Sequence, residues 1–367
     1  MKITGLPRSA INIHTTYLGG GFGRRALVDY VGEAVELSMK MKAPVKVIWT
    51  REEDIRRDYY RPSTHNIMQA VIDQNGRPKA WLHRIVGADA FGQALPKVIT
   101  GWMPDFVPQL LTNAAAAAAE WAMPRFVSGK KAVLGAGPLP YAFEHMQVEF
   151  INDDPGIPLC WWRSVAPSSN CFAVECFLDE IAVEAGQDPY ELRYTLLANA
   201  PRLRHVLKLA AEKAGWGKKP SGNVHRGIAC HNFQNTMIAM VAEVSVLSNG
   251  YVTVHRVVCA LDCGTAVNPK IIEAQIQSGI VFGLTATLKS EITISNGAAD
   301  QSNFDDFPLL RYDEMPVVEV HIVPSDLPPT GIGETAVPVI SPAVANAVFA
   351  STGKRIRKLP IKPADLV

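Results

Sequence analysis

The chain has 367 residues, of which 48% are hydrophobic and 19% are charged, and its formal net charge is +1. This length corresponds to about two domains of ~150 residues or to one large two-lobed unit, with ample apolar material for a core. The near-neutral charge argues against a nucleic-acid or anionic-membrane partner bound mainly by charge. The one basic segment, "GKRIRK" at residues 353–358, is either a local basic patch or, as we expect, a solvated helix end.

The cysteines and the apolar runs suggest neither a metal site nor a membrane span. Six cysteines are spread over the chain without a CxxC pair or a histidine at zinc spacing, so we interpret them as small buried side chains in a reduced protein. No apolar run approaches the ~20 residues that a membrane span needs. The N-terminal sequence "MKITGLPRSA" has no hydrophobic stretch typical of a signal peptide.

The first 100 residues are predicted to mix helices and strands. Residues 11–18 (INIHTTYL) and 43–50 (APVKVIWT) are predicted strands, and apolar residues at helical spacing predict a helix over residues 26–41 between them. The Asn-Gly step in "QNGRP" (residues 74–78) separates two strand-like runs and therefore predicts a hairpin.

The middle of the chain is less regular. Residues 101–154 contain several prolines and no repeating pattern, and we interpret them as a long excursion with short helices. Within them, "NAAAAAAEWA" (residues 113–122) is either a helix or a loop insertion. Three helices follow, predicted over residues 171–186, 188–198 and 201–214. Asp188 is the predicted N-cap of the second of them.

Strands dominate the prediction from Arg226 onward. The predicted elements are a hairpin around residues 248–250, a buried helix over 271–288 and a strand over 317–325. In the last predicted helix Ser341 is the N-cap, Pro342 is the first helical residue and Gly353 is the stop.

The sequence GGGFG at residues 19–23 lies at a predicted strand-to-helix corner. Glycines let the backbone turn tightly and approach a ligand closely, and free N–H groups at a helix start favour an anion. The spacing does not match the dinucleotide-binding GxGxxG pattern, and no phosphate-loop Lys-Ser pair follows. The loop is therefore either an anion or cofactor loop or a tight structural turn.

Three polar side chains lie in apolar stretches further along the chain. Arg163 follows two tryptophans in "WWRSVAPSSN" (residues 161–170), and it is either an arginine packed on aromatic rings or one held near an anionic ligand. Gln275 and Gln277 lie in a very apolar predicted helix and need hydrogen-bond partners there. Those partners are either structural or part of a polar cofactor.

Glu334 is the strongest single candidate for catalysis. It lies in "LPPTGIGETAVPVI" (residues 327–340), with glycines and small apolar residues around it. A carboxylate in apolar surroundings suits a general base or acid, although a following helix N-terminus acts in the opposite sense. The alternative is an ordinary surface loop residue.

Four motifs together resemble one family. They are "YLGGGFGRR" (17–25), "WWRSVAPSSNCFAVECFLDEIA" (161–182), "DCGTAVNPKIIEAQIQSGIVFGL" (262–284) and "GIGETAVPVISPAVANAVFASTGKR" (331–355). The chain resembles the molybdenum-binding large subunit of the xanthine oxidase family, of the isoquinoline 1-oxidoreductase β-subunit and aldehyde dehydrogenase type. The resemblance implies an α+β fold of two mixed α/β lobes, which we place at residues 1–160 and 161–367. It covers only the C-terminal half of such subunits, so a polypeptide that supplies the N-terminal half is an expected partner.

The resemblance also assigns roles to residues of this chain. Glu334 would be the catalytic base. The residues that would bind the cofactor are Gly20, Gly21, Phe22, Gly23, Arg24, Arg163, Gln275 and Gly333. The cofactor would be molybdopterin with molybdenum, in the cytosine dinucleotide form, and the metal would be held through the pterin dithiolene without a direct protein ligand. Residues 101–141 would line the substrate pocket.

The implied activity is the hydroxylation of an aldehyde or an N-heterocycle with oxygen from water. Arg25, Ala26 and Leu27 stand where purine-oxidising members carry a glutamate, which argues against a purine substrate. No [2Fe–2S] ligand pattern is visible, so electrons would pass to a separate small [2Fe–2S] subunit, and a cytochrome c subunit is a further expected partner. The expected location is cytoplasmic, with a periplasmic or membrane-associated location through partner subunits as the alternative. The rival functions are an incomplete half-subunit without activity alone and a non-enzymatic α+β module that binds a phosphate or cofactor.

Overall fold

The protein combines helices and strands in an irregular order, which confirms the predicted α+β class. The computed structural model describes residues 3–94, 107–122 and 129–367. The helices in this part of the chain are α1 (Asp29–Met41), α2 (Arg51–Arg56), α3 (Gln109–Ala122), α4 (Pro167–Glu184), α5 (Pro189–Leu196), α6 (Pro201–Ala214), α7 (Pro269–Leu288) and α8 (Val337–Thr352). The strands are β1 (Thr64–Ile72), β2 (Pro78–Gly87), β3 (His145–Asn152), β4 (His225–Phe233), β5 (Thr236–Val246), β6 (Val252–Asp262), β7 (Ile294–Ser295), β8 (Ala298–Ala299) and β9 (Val317–Ile322).

A four-stranded sheet forms the centre of the second half of the chain. Its order is β4-β5-β6-β9, with antiparallel neighbours except for the parallel pair β6 and β9. Alternate residues of β5 point to opposite faces: Met240 packs in a core with α7 and α8, whereas Val241 packs in a core with α4, α5 and α6. Because both faces are covered, β5 is a continuous apolar run with little polar alternation.

Helix α8 lies in direct backbone contact with this sheet at Gly227 of β4. A Cβ atom added to Gly227 would lie 2.2 Å from the carbonyl oxygen of Ala343 and 2.2 Å from the nitrogen of Ala347. No side chain fits between the strand and the helix at this point. The absence of a Cβ therefore sets how closely α8, and the loop before it, approach the sheet.

A buried ion-pair network joins α4 to α5. The Arg193 guanidinium is fully buried, donates from Nε to Glu175 Oε2 at 2.8 Å and lies 3.7 Å from Asp179. Burial lowers the pKa of Arg193, but the two carboxylates outweigh it and hold that pKa above its ordinary value. Tyr141 donates its hydroxyl to Glu175 Oε1 at 2.5 Å, since burial raises its pKa and keeps the hydroxyl protonated. A buried charge left without such partners would be costly, so the network fixes these helices relative to each other.

The first sheet has the order β1-β2-β3. The antiparallel pair β1 and β2 confirms the hairpin predicted at "QNGRP". Strand β3 runs parallel to β2 and lies within residues 101–154, where the sequence predicted only short helices. That prediction was wrong for β3, which is a half-exposed edge strand with a weak apolar pattern. Helix α3 resolves the choice at residues 113–122 in favour of a helix.

Several other predicted elements need correction near the N-terminus. Residues 11–18 and 43–50 are not strands, because neither segment pairs with a strand in the described part of the chain. The predicted helix over 26–41 begins instead at Asp29, after a short 3-10 turn at Arg24–Ala26. The helices predicted over 171–186, 188–198 and 201–214 are confirmed as α4, α5 and α6, and Asp188 caps α5 by accepting from the nitrogen of Tyr190 at 2.8 Å.

The predicted start of the last helix was also wrong. Helix α8 begins at Val337, so Ser341 and Pro342 lie inside it. Ser341 is buried and its hydroxyl shares a 2.7 Å hydrogen bond with Thr287 Oγ1 of α7. Pro338 already occupies the first turn, where proline is tolerated, and burial of the apolar helix outweighs the cost of the second proline. The predicted stop at Gly353 is confirmed by its left-handed φ of 72°.

Helix α7 is less buried than its composition predicted. Contrary to the expectation from the apolar runs of the sequence, its length and apolar composition would suit a membrane span, as they do for many core helices of soluble proteins. Of its most apolar 18 residues, 39% are buried inside the protein. Gly279 and Gly283 pack against α8, since added Cβ atoms would lie 2.8 Å from Ala336 Cβ and 2.4 Å from Ile340 Cγ2. One face of α7 therefore belongs to the core and another remains accessible.

We predict that Gly227→Ala destabilises the protein by at least about 2 kcal/mol, because the new methyl group must separate β4 from α8. Gly19→Ala is the matched control, because an added Cβ there meets no atom within 4 Å and its effect should stay within about 1 kcal/mol. Urea unfolding followed by circular dichroism measures both free energies. Equal stabilities of the two variants would contradict the close packing.

Candidate active site

The Arg163 guanidinium joins three segments that are far apart in sequence. It donates from Nε to the Gly333 carbonyl oxygen at 2.6 Å, from Nη1 to Ser278 Oγ at 2.9 Å and from Nη2 to Gln275 Oε1 at 3.1 Å. Arg163 is 6% exposed, and this burial lowers its pKa while the charge of Glu334 raises it. The side chain therefore serves as an internal connector between the loop before α4, helix α7 and the Glu334 loop.

Glu334 is held by the residue that follows Arg163. The backbone N–H of Ser164 donates to Glu334 Oε1 at 2.8 Å. Within the described residues no hydrogen bond reaches Glu334 Oε2, and the side chain is half-buried. One carboxylate oxygen is thus fixed by the protein, and the other is the one available to a ligand.

The Glu334 loop is anchored from behind by the second sheet. Thr236, at the start of β5, shares a 2.6 Å hydroxyl–hydroxyl hydrogen bond with Thr330 and donates to the carbonyl of Gly331 at 2.8 Å. The backbone nitrogen of Thr330 donates to the carbonyl of Cys263 at 2.8 Å. These contacts with the end of the sheet hold the loop in a fixed position although the loop itself has no regular secondary structure.

The glycine-rich loop is attached to the same region through stacked aromatic rings. Phe22 stacks on Phe282 of α7 with ring centroids 5.2 Å apart, and Phe282 stacks on Trp162 at 4.6 Å. The Arg61 guanidinium lies 4.6 Å from the centroid of the Trp162 ring. We call Phe22, Phe282, Trp162 and Arg61 the aromatic column. It places the GGGFG loop, α7 and the segment before α4 side by side.

The glycines of the GGGFG loop differ in whether the packing of the chain requires them. Gly23 has a φ of 101°, and an added Cβ would lie 2.1 Å from the Trp161 carbonyl oxygen, so the chain itself requires glycine there. In contrast, an added Cβ at Gly19 would meet nothing within 4 Å, at Gly21 only Arg25 Cβ at 3.6 Å, and at Gly333 only Gln275 Oε1 at 3.9 Å. The protein leaves space at these positions that its own packing does not use.

Strained backbone marks the meeting point of these segments. Phe22, Ser164 and Val165 have positive φ angles of 50°, 73° and 49° although none is glycine. A β-branched residue such as Val165 is the most strained in this conformation. Two buried polar atoms nearby, Ser164 Oγ and Trp161 Nε1, have no hydrogen-bond partner among the described residues. Strain together with unpaired buried donors is typical of a binding or catalytic site.

Comparison with known proteins shows the family to which this chain belongs. Residues 1–103 and residues 195–316 each match a family described as molybdopterin cofactor-binding domain, and together they cover more than half of the chain. The chain is 28% identical to the isoquinoline 1-oxidoreductase β-subunit of Brevundimonas diminuta over 99% of its own length, and 30% identical to a nicotinate dehydrogenase subunit of Pseudomonas putida over 93%. The chain belongs to the xanthine oxidase family of molybdenum-binding subunits.

Solved structures share the fold of this chain. Quinoline 2-oxidoreductase from Pseudomonas putida 86 superposes with a TM-score of 0.75 at 14% identity, over 95% of this chain and 67% of that one. The chain spans 44% of the length of the isoquinoline 1-oxidoreductase subunit and 29% of the nicotinate dehydrogenase subunit. The two matched regions lie on either side of residue 160, while the division into lobes 1–160 and 161–367 stays a prediction.

The residues fit the cofactor that this family implies. Space is left at the backbone of Gly19, Gly21 and Gly333, and the buried Ser164 Oγ and Trp161 Nε1 have no hydrogen-bond partner among the described residues, which suits a polar group bound against these loops. The structure brings Gly23, Arg163, Gln275, Gly333 and Glu334 to this one region. Their individual roles toward the cofactor stay predictions. The predicted pocket wall at residues 101–141 lies partly outside the described residues, which omit 95–106 and 123–128.

The side chain of Arg24, which was predicted to bind the cofactor, is paired with carboxylates of the protein. Its guanidinium makes two 2.8 Å hydrogen bonds to Asp29, at the start of α1, and an ion pair with Asp58. Partial burial lowers the pKa of Arg24, but these two carboxylates raise it above its ordinary value. Its guanidinium therefore fixes the end of the glycine-rich loop, and the predicted cofactor contact of Arg24 is left to its backbone.

Sequence reasoning missed Phe282 and did not use Ser278, although a signal for both was present. Gln275, Ser278 and Phe282 are spaced i, i+3 and i+7, so they share one face of a helix. That face lies beside the one that packs on α8 through Gly279 and Gly283, and Ser278 on it is exposed. The polar residues Gln275 and Ser278 on one face of an otherwise apolar helix would have indicated that this face contacts the site.

We predict that Arg163→Lys loosens the Glu334 loop. A lysine keeps the charge but cannot serve acceptors on Gly333, Ser278 and Gln275 at once, which should cost about 2 kcal/mol locally. Amide hydrogen exchange of residues 331–335, measured by mass spectrometry, should accelerate by roughly tenfold or more. The control is Arg357→Lys, whose side chain is 71% exposed and paired with Glu180. Unchanged exchange in Arg163→Lys would rule out the connecting role.

We also predict that Phe282→Ala releases the GGGFG loop. Stacked aromatic pairs contribute about 0.5–1.5 kcal/mol each, so loss of both contacts of Phe282 should raise the open population of the loop about tenfold. Limited trypsin digestion reports this as faster cleavage after Arg25. In the control Phe304→Ala, a 53% exposed ring outside the aromatic column is removed, and the cleavage rate should stay at the wild-type value. Equal rates in both variants would contradict the assignment.

Proposed function

We propose that this chain carries the molybdenum cofactor site of an oxidoreductase that hydroxylates an aldehyde or an N-heterocycle with oxygen from water. The observation that carries the proposal is the Glu334 carboxylate. It is fixed by Ser164 N–H at one oxygen, presents the other beside unused space and lies in a chain of the xanthine oxidase family. When bound, the molybdenum cofactor would activate water and accept two electrons from the substrate carbon.

The residues of this chain would act around that cofactor as holders and as a base. The free N–H groups of the GGGFG loop and the Ser164 and Trp161 donors would bind its polar edge, and Gln275, fixed by Arg163, would orient it. Glu334 Oε2 would accept the proton released from water in the reaction. Because Arg163 and Ser164 hold the carboxylate and its loop on both sides, Glu334 needs little reorganisation to do so.

The partners and the finer cofactor identity belong to the same proposal. We propose that electrons leave through a separate small [2Fe–2S] subunit, with a cytochrome c subunit as a further carrier. The subunit designations of the two relatives support a multi-subunit enzyme. The proposed cofactor form is the cytosine dinucleotide. The names of these two relatives concern isoquinoline and nicotinate, which are N-heterocycles, and the name of a third relative concerns an aldehyde, so the proposal keeps both arms of the substrate class.

An incomplete half-subunit without activity alone is the second candidate. It is favoured by the share of the relatives that the chain spans, 44% and 29%. A phosphate-binding module without activity is disfavoured, because it gives no reason for the convergence of Arg163, Gln275 and Glu334. Molybdenum analysis distinguishes the proposed enzyme from an inactive half-subunit. The enzyme holds one metal per chain in the assembled complex, and the inactive half-subunit holds none.

The test is Glu334→Gln in the complex purified with its partner subunits. The amide still accepts from Ser164 N–H but takes up no proton, so the turnover of isoquinoline and of benzaldehyde with a dye acceptor should fall by about 100-fold or more. The molybdenum content should stay unchanged, and the wild-type product should contain ¹⁸O from labelled water. Glu273→Gln, on an exposed turn of α7, is the matched control. Turnover near the wild-type rate in Glu334→Gln would refute the role of this carboxylate.

A further inference from the structure

A cavity lies between the first sheet and the start of α4. Its volume is about 470 Å³, part of which is open to solvent, and pockets of this size take small organic molecules. Its walls come from five parts of the chain, namely residues 61–64, residues 88–91 after β2, residues 131–132, Phe150 of β3 and residues 165–169. We call this space the α4 cavity.

A strained turn connects the α4 cavity to the Glu334 carboxylate. Ser164 and Val165 have positive φ angles of 73° and 49°. The backbone N–H of Ser164 donates to Glu334 Oε1, whereas Val165 lines the cavity. A ligand in the cavity therefore lies against the same turn that positions the carboxylate. Strained backbone is retained at such places, where one turn has to serve two contacts.

Two cations line the α4 cavity without a carboxylate partner. Arg61 and Lys131 are exposed, and neither forms an ion pair within the described residues. Their contacts are with aromatic rings, since the Arg61 guanidinium lies 4.6 Å from the Trp162 centroid and Lys131 Nζ lies 6.0 Å from the Phe91 centroid. Two cations beside a concave and mainly apolar surface attract an anion into it.

The remaining charged group of the lining limits the charge of that anion. In the described part of the chain, the charged lining residues are Arg61, Lys131 and Asp89. Asp89 is buried, and its Oδ1 accepts from the backbone N–H of Phe91 at 3.0 Å, so its carboxylate caps the turn after β2. Its charge offsets one of the two cations. The single positive charge that remains suits a carboxylate better than a phosphate, which carries nearly two negative charges at neutral pH.

The segment that carries Lys131 is fixed to α4. Asn170 is fully buried and donates from Nδ2 to the carbonyl oxygens of Ala132 at 2.7 Å and Leu134 at 2.8 Å. Gly135 packs against the first residue of α4, because an added Cβ would lie 2.9 Å from the Cα atom of that residue. Lys131 therefore belongs to a wall whose backbone position the helix determines.

We propose that the substrate is a small aromatic molecule with one carboxylate, and that the α4 cavity binds its carboxylate end with Lys131 as the residue that selects for it. Lys131 Nζ donates to the carboxylate, with Arg61 adding positive charge, while Phe150 and Val165 pack against the ring. The inference deepens the proposed function and rests on it for the reaction. The alternative is a pair of solvated cations beside an unused cavity, and it predicts equal binding of an acid and its neutral amide.

The first experiment measures binding without turnover. Isothermal titration calorimetry on the full chain, with any polypeptides that co-purify with it, gives Kd for benzoate and nicotinate and for their neutral amides, benzamide and nicotinamide. At least one acid should bind about tenfold or more tightly than its amide, and Lys131→Met should remove this difference. Lys131→Arg should retain it within about threefold, because the charge is kept.

Lys130→Met is the matched control, since Lys130 is the neighbouring exposed lysine and does not line the cavity. It should bind both acids as the wild type does, and all variants should have the wild-type melting temperature. Equal Kd values of acid and amide for both pairs in the wild type, or an unchanged preference in Lys131→Met, would overturn the proposal.

The second experiment tests selection during turnover in the complex purified with its partner subunits. For 4-formylbenzoate, Lys131→Met should raise KM by about tenfold and leave kcat within about twofold, because the lysine contacts the carboxylate and no reacting atom. For benzaldehyde, which has no carboxylate, both constants should stay at the wild-type values. An equal rise of KM for the two aldehydes would show a general structural effect and would exclude the selective role.

The two proposals fail separately in these measurements. A chain that prefers the acids through Lys131 but holds no molybdenum and turns over no substrate retains the carboxylate site and refutes the proposed function. An active molybdenum-containing complex in which Lys131→Met changes neither Kd nor KM does the reverse.

Discussion

The site depends on one buried cation. Arg163 cannot be taken out of water without acceptors, and it finds them on Gly333, Ser278 and Gln275, in segments more than 100 residues away. Its neighbour Ser164 then fixes the Glu334 carboxylate with a backbone N–H. The arrangement exists only when the Glu334 loop, α7 and the start of α4 have all reached their final positions, so the site is a product of tertiary folding and of no single motif.

The other elements of residues 161–367 hold the Glu334 loop and the start of α4 in these positions. The central sheet anchors the Glu334 loop through Thr236, and the contact of α8 with Gly227 fixes the helix into which that loop leads. The network around Arg193 holds α4, whose first turn follows Ser164 and Val165. The unfavourable backbone of these two residues persists because the elements on either side are rigid.

The fold was predictable where local signals and packing agree. Asp188 caps α5 as its side chain predicts, and both Asn-Gly steps form hairpins. The prediction failed where burial overrides a local signal, as at Ser341, and where a strand pattern has no sheet, as at residues 11–18 and 43–50. An alternating pattern of side chains indicates that a segment is suited to a strand, but a strand in a sheet also needs a neighbouring strand with which to pair.

The candidate site was predictable in its polar residues and less so in its aromatic ones. Arg163, Gln275 and Glu334 stood out because a polar side chain in apolar sequence needs a partner. Phe282 carried no such signal, since an aromatic residue in an apolar helix is ordinary, and its role depends on the rotation of α7 against α8. The one indication in the sequence was the i, i+7 spacing that puts Phe282 on the same face of α7 as Gln275.

The arginines at the site have a consequence for the kind of attraction that a ligand meets. The guanidinium of Arg24 is neutralised by Asp29 and Asp58, and that of Arg163 is occupied by carbonyl and side-chain oxygens within the protein. These two guanidinium groups are therefore not free to pair with an anionic ligand, which meets backbone N–H groups, packed rings and the exposed Arg25 and Arg61. The short-range contacts are screened weakly by dissolved ions and the attraction of the exposed arginines is screened strongly, so only the second contribution to the affinity should fall at high ionic strength.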